Sequence, residues 1–161
     1  MTLPSYQLLV IDDSKRDTLL LERTLRQAED AVFAVTCVES AQAGFEALSM
    51  NTYDLVLLDY YLPDMDGLAF LEAKQQRELS TPVIMLTAFG QDRLPVAALQ
   101  AGALDYFAKD QVSSALLSKA VKQAIEKARL QTQAEADTTR LRELEATVAR
   151  LQQQLDEQRG S

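Results

Sequence analysis

Residues 54–67 read DLVLLDYYLPDMDG, and the fold turns on this stretch. Asp54–Leu58 is a short apolar run without polar alternation, the mark of a strand covered on both faces. The run closes on an acid, Asp59, and Gly67–Glu78 follows with Leu68 and Leu71 at helical spacing. A buried strand that delivers a carboxylate to its end, with a helix after it, is half of a parallel-sheet crossover.

The same unit recurs on both sides. Upstream lie Gln7–Ile11 (QLLVI) and Ala31–Val38 (AVFAVTCV), downstream Val83–Leu86 (VIML) and Ala103–Ala108 (ALDYFA), all expected to be buried on both faces. Helix-period segments separate them. Ser14–Gln27 carries Leu20, Leu21 and Leu25 behind Ser14 as N-cap, and Ser40–Ser49 carries Ala43, Ala47 and Leu48 behind a second serine cap. Asp92–Ala101 contains Pro95, which fits only a first turn, so this helix begins near Leu94 and Gly102 stops it. Ser113 opens the last helix. Five strand–helix pairs in strict alternation predict an α/β domain, a parallel sheet with helices on both faces.

Composition excludes more than it assigns. The 161 residues carry a net charge of −8, of which −6 falls in residues 1–129 and −2 in residues 130–161. Neither part has the basic surface that nucleic acid calls for. Cys37 is the single cysteine, so no intrachain disulfide forms, and its apolar surroundings predict a buried, inert thiol. Histidine is absent, which removes imidazole catalysis, His metal ligation and phosphohistidine from these residues. There is no signal-peptide pattern and no 18-residue apolar run, so a cytoplasmic address without membrane contact is expected.

Chemistry gathers where strands end. The first run ends in Asp12-Asp13, the third in Asp59, the fourth in Thr87, and the fifth runs into Lys109. Open parallel sheets bind ligands beyond the carboxyl ends of their strands. One acid at a strand end is ordinarily a helix cap; four coordinated positions are not so easily dismissed.

Over roughly residues 5–129 the chain resembles the response-regulator receiver domains. The resemblance rests on Asp12-Asp13, on Asp59 through Pro63 to Asp66-Gly67, on Thr87-Ala88, on Gly102-Ala103 and on Lys109. It implies a doubly wound, flavodoxin-like sheet of five strands in the order 2-1-3-4-5. It also implies Asp59 as phosphoacceptor, with Lys109 and Thr87 contacting the phosphoryl group. Mg²⁺ would be held by Asp13, Asp59 and the backbone carbonyl of Tyr61, with Asp12 acting mainly through water. An all-oxygen, partly hydrated site of this kind suits Mg²⁺. Tyr106 matches the family's switch aromatic, and Phe107 should face the opposite way. The implied partner is a histidine kinase or a His-phosphotransfer protein.

Two departures stand out. Receivers usually place proline after the lysine, joined by a cis peptide; here Asp110 follows, and a cis bond before a non-proline residue costs about 2.5–4 kcal/mol. Bulky Tyr61 and Phe89, two residues past Asp59 and Thr87, are expected to slow hydrolysis of the acyl-phosphate. An aspartate-nucleophile phosphohydrolase would need an acid where Tyr61 stands. A scaffold that no longer phosphorylates would not need three mutually repelling carboxylates.

After Arg129, Gly and Pro vanish until Gly160. Leu130, Ala134, Asp137, Leu141, Leu144, Val148, Leu151 and Leu155 follow a 4-3 spacing, a heptad seam with one polar break at Asp137. Without a breaker, one helix from Ser113 to Gln158 would run about 68 Å. The division expected is a receiver over 5–129 and a coiled-coil dimerisation or linker helix over 130–159. That helix serves either a homodimer or an output domain beyond these residues.

Overall fold

A computed structural model of the chain describes residues 2–88 and 94–160. Strands and helices alternate as β1 (Ser5–Ile11), α1 (Lys15–Arg26), β2 (Val32–Val38), α2 (Ala41–Met50), β3 (Leu55–Asp59) and α3 (Gly67–Gln76). They continue as β4 (Val83–Thr87), α4 (Leu94–Gln100), β5 (Asp105–Ala108), a 3-10 turn over Lys109–Gln111 and α5 (Ser114–Arg159). The five strands form one parallel sheet in the order β2-β1-β3-β4-β5.

Alternating side chains divide the core between the two faces of this sheet. Leu9, Ile11, Val56 and Leu58 pack with Phe45 of α2 and Phe70 of α3, whose rings stack at 4.5 Å. Leu8, Val10, Leu55 and Leu57 pack with Leu25 of α1 and with Leu117 and Val121 of α5. Every residue of β3 and β4 is buried, as expected of central strands. The same expectation fails for β2, which alternates between exposed and half-buried, and for β5, which is half-buried throughout. Both are edge strands, with a neighbour on one side only.

Cys37 is corrected with its strand. It is exposed, and its Sγ donates to Glu22 Oε1 at 3.1 Å. Partial desolvation of the sulfur and the Glu22 carboxylate push the thiol up to about 12, so it stays protonated and inert for a different reason.

Local signals set the helix ends. Ser14 accepts from the Asp17 amide and Ser40 from that of Ala43, as the cap positions require. Gly102 holds φ at +111°, a backbone conformation that side chains with a Cβ resist. Gly102→Ala is expected to lower stability by about 1–2 kcal/mol, read from the urea midpoint at unchanged m-value.

The chain divides into two units, Met1–Ile125 and Glu126–Ser161. The first contains the sheet. The second is helical to Arg159, and its large apolar side chains, Leu130, Leu141, Leu144, Val148, Leu151 and Leu155, are each 50–58% exposed. No described helix is long and apolar enough to cross a membrane.

Candidate functional site

Parallel strands release the residues after them on one edge of the sheet. Asp12 and Asp13 follow β1, Asp59 and Thr87 end β3 and β4, and Lys109 follows β5. One carboxylate oxygen from each of Asp12, Asp13 and Asp59 lies within 4.8 Å of the other two. Asp12 and Asp59 are only 4% and 7% exposed, while Asp13 is open to solvent. At such a separation two charged carboxylates repel by about 3 kcal/mol at an effective dielectric of 20.

Lys109 supplies the opposing charge. Its Nζ donates to Asp12 Oδ2 at 2.5 Å and to Asp17 Oδ2 at 3.0 Å, and lies 3.6 Å from Asp59 Oδ2. The Ser14 amide donates to the other Asp12 oxygen at 2.9 Å. Asp59 is thus the less well compensated of the two buried acids. Burial pushes its pKa up to about 7; Lys109 pulls against this, and the Asp12 charge pushes further. For Lys109, burial acts to lower the pKa, but the bonds to Asp12 and Asp17 prevail and raise it.

Asp17 escaped the sequence reading. It sits in the first turn of α1, four residues after Asp13, and one helical turn returns its carboxylate to the same edge. The bond from Lys109 holds its pKa below the usual carboxylate range. Asp17→Asn is expected to bring the Lys109 ammonium pKa down, measurable by NMR titration of its side-chain nitrogen.

The remaining expected residues are placed as follows. Thr87 is fully buried and lies in register with Ala108 of β5. Tyr106 packs against the α2–α4 side of the sheet and Phe107 against the α1–α5 side, opposite faces as the alternation required. The Tyr106 hydroxyl is buried without a well-formed hydrogen bond. Its pKa is raised, burial outweighing the pull of the Thr87 hydroxyl. The Tyr61 ring is 50% exposed and meets Tyr60 edge-on at 4.7 Å. Phe89 lies outside the described residues. No described peptide bond is cis, so Lys109–Asp110 is trans.

The loop between Asp59 and α3 is pinned from three directions. Asp64 accepts from the Ala41 and Gln42 amides, both at 2.9 Å, and so caps α2 across the loop. Asp66 caps α3 through the Ala69 amide and pairs in an isolated bridge with Tyr61. Gly67 leaves little room for a larger residue here. A Cβ would lie 2.8 Å from Met85 Cε and 3.1 Å from Tyr60 Cα. Two of the three acids in residues 59–66 therefore shape the backbone that carries Tyr61, while Asp59 belongs to the charge cluster.

The response regulator receiver domain family matches residues 8–122, which include every residue of this cluster. The chain belongs to that family. Among the receiver's relatives is the transcriptional activator protein PfeR of Pseudomonas aeruginosa, 37% identical over 109 residues, 68% of this chain and 34% of PfeR. The transcriptional regulatory protein BasR of Escherichia coli is 37% identical over 103 residues, 64% of this chain and 45% of BasR. The chain spans less than half the length of either. A response regulator receiver domain protein from Clostridium thermocellum matches in structure with a TM-score of 0.67 and 26% identity. That match covers 78% of this chain and 98% of the other.

Proposed function

We propose that this receiver is the phosphoacceptor of a two-component relay, taking a phosphoryl group on Asp59 with Mg²⁺ bound beside it. The reading is carried by one observation. Two buried carboxylates and one exposed one converge within 4.8 Å, and the Lys109 ammonium lies 3.6 Å from the less well compensated of the two buried ones. Nothing about the fold requires that cost.

Asp13, Asp59 and the Tyr61 carbonyl are the ligands we assign to Mg²⁺, with Asp12 acting through water; hard oxygen donors with one side open to solvent suit this ion. When bound, the metal offsets the carboxylate repulsion and attracts the phosphoryl oxygens. The Asp59 carboxylate oxygen bonds to phosphorus as the donor's P–N bond breaks, and the donor imidazole leaves with that electron pair. Lys109 then turns from Asp12 and Asp17 to the phosphoryl oxygens, and the Thr87 hydroxyl donates to one of them. Thr87 moves inward, and Tyr106, beside it, repacks as the switch. These residues hold no histidine, so the phosphohistidine belongs to a histidine kinase or a His-phosphotransfer protein. The chain catalyses only its own phosphorylation and hydrolysis, in the cytoplasm. The last helix passes the change to a coiled-coil homodimer or to an output domain.

The test is intact mass after incubation with a small acyl-phosphate, with and without Mg²⁺. One phosphoryl addition that depends on Mg²⁺ is expected. No addition under either condition would overturn this reading in favour of a scaffold.

A further inference from the structure

We infer that residues 141–155 form a parallel, in-register, two-stranded coiled coil with a second copy of this chain, its register set by Arg140 of one strand and Glu145 of the other. The helical unit from Glu126 onward presents Leu141, Leu144, Val148, Leu151 and Leu155 at 3-4-3-4 spacing, each at least half exposed. Leu141, Val148 and Leu155 occupy the a positions, and Leu144 and Leu151 the d positions. Val148 is the one β-branched residue among the three a positions, and with leucine at both d positions that layer favours two strands. An apolar stripe of this kind on a helix has no compensation in water until another stripe covers it.

Charge selects the occupant and its direction. In this register Arg140 is a g residue and Glu145 the e residue five positions on. In a parallel pair g faces the partner's following e, so Arg140 meets Glu145 twice by symmetry. Within its own chain neither side chain has an ion-pair partner among the described residues. In an antiparallel pair e faces e. Aligning the apolar layers then sets the two Glu145 side chains beside each other, leaves Arg140 facing Thr147 and Gln154, and buries Asp137 against Leu155. The parallel arrangement answers both charges; the antiparallel one answers neither.

The seam weakens toward its start. Asp137 is a d residue, bonded in its own helix only to Gln133 Nε2 at 2.9 Å, and Ala134 and Lys127 hold the preceding a positions. Two Asp137 carboxylates would face each other in the parallel pair, so this layer yields and the zipper proper begins at Leu141. The proposal therefore also assigns Asp137 as the layer at which the strands part.

Sedimentation of the unphosphorylated full chain tests this without calling on the phosphoacceptor reading. A dimer is expected. Leu144→Lys with Leu151→Lys should leave a monomer that still melts cooperatively, since both side chains are exposed in the single chain. At low salt Arg140→Glu should weaken the dimer at least tenfold, and adding Glu145→Arg should restore it. Asp137→Leu should tighten it at least tenfold. In a Cys37→Ser background, Gln158→Cys should cross-link to itself on oxidation, which only the parallel pairing permits. A monomeric wild type, a trimer, a charge reversal without effect or a Gln158→Cys protein that fails to cross-link would each overturn the corresponding element of the proposal.

Discussion

Asp59→Asn is expected to take up no phosphoryl group and, without Mg²⁺, to be the more stable protein by about 2–3 kcal/mol above pH 7. The first half follows from removing the proposed nucleophile. The second follows from the energetics of the cluster. Asp59 is 7% exposed, and burial pushes its pKa up to about 7, against an ordinary 3.8. Between those two values the folded protein holds a proton that the unfolded chain has released, so stability falls as pH rises. The wild type without metal should therefore lose about 2–3 kcal/mol between pH 5 and pH 8, with the decline flattening beyond pH 7. The acids whose pKa is depressed, Asp17, Asp30, Asp64 and Glu126, act in the opposite sense and only below about pH 5, outside this window. In Asp59→Asn the slope should disappear. With saturating Mg²⁺ it should shrink in the wild type too, because the bound ion favours the charged carboxylate. Urea titrations at four pH values, with chelator or with Mg²⁺, read all of this. An unchanged slope in Asp59→Asn would place the titrating group elsewhere.

How much of this was legible in the sequence depended on whether a feature obeyed a local period or a long-range meeting. The central strands were plain, because a parallel sheet buries both faces and leaves an unbroken apolar run such as LVLL. The edge strands were misjudged, because AVFAVTCV is as apolar as a central strand and only the neighbour it lacks reveals its place. Cys37 inherited that error. The strand-end residues could be named because the topology carries all of them to one edge. Asp17 could not, since its role depends on where a lysine 92 positions away directs its ammonium. Asp64 and Asp66 were legible as part of a motif but not as capping residues. Asp64 caps a helix that precedes it in sequence, and no local pattern announces a cap of that kind.

Lys109→Met separates the lysine's charge from its packing and should cost the metal-free protein about 3 kcal/mol. The side chain of Lys109 is 17% exposed and that of Asp12 is 4%, so the bond between them at 2.5 Å is shielded from water. Methionine keeps much of the apolar stem and removes the charge. The loss is then mainly that of leaving Asp12 buried without its cation, with Asp59 still beside it. Truncating one member of a buried pair costs more than the pair contributes, because the surviving charge keeps its desolvation penalty. Mg²⁺ should recover most of the loss, since a divalent cation among the same carboxylates answers the same excess charge. The fraction recovered tells the two roles of Lys109 apart. Recovery near completion means that, without metal, the lysine serves chiefly as a counter-ion and is released to the phosphoryl group once the metal arrives. An equal loss with and without Mg²⁺ means that the stem of Lys109, packed beside the cavity of about 250 Å³ that Leu20, Leu86 and Val112 also line, holds β5 and α1 together. Combining Lys109→Met with Asp59→Asn sharpens the distinction. If charge governs, the double variant should lose less than Lys109→Met alone, because one of the two unanswered carboxylates is gone.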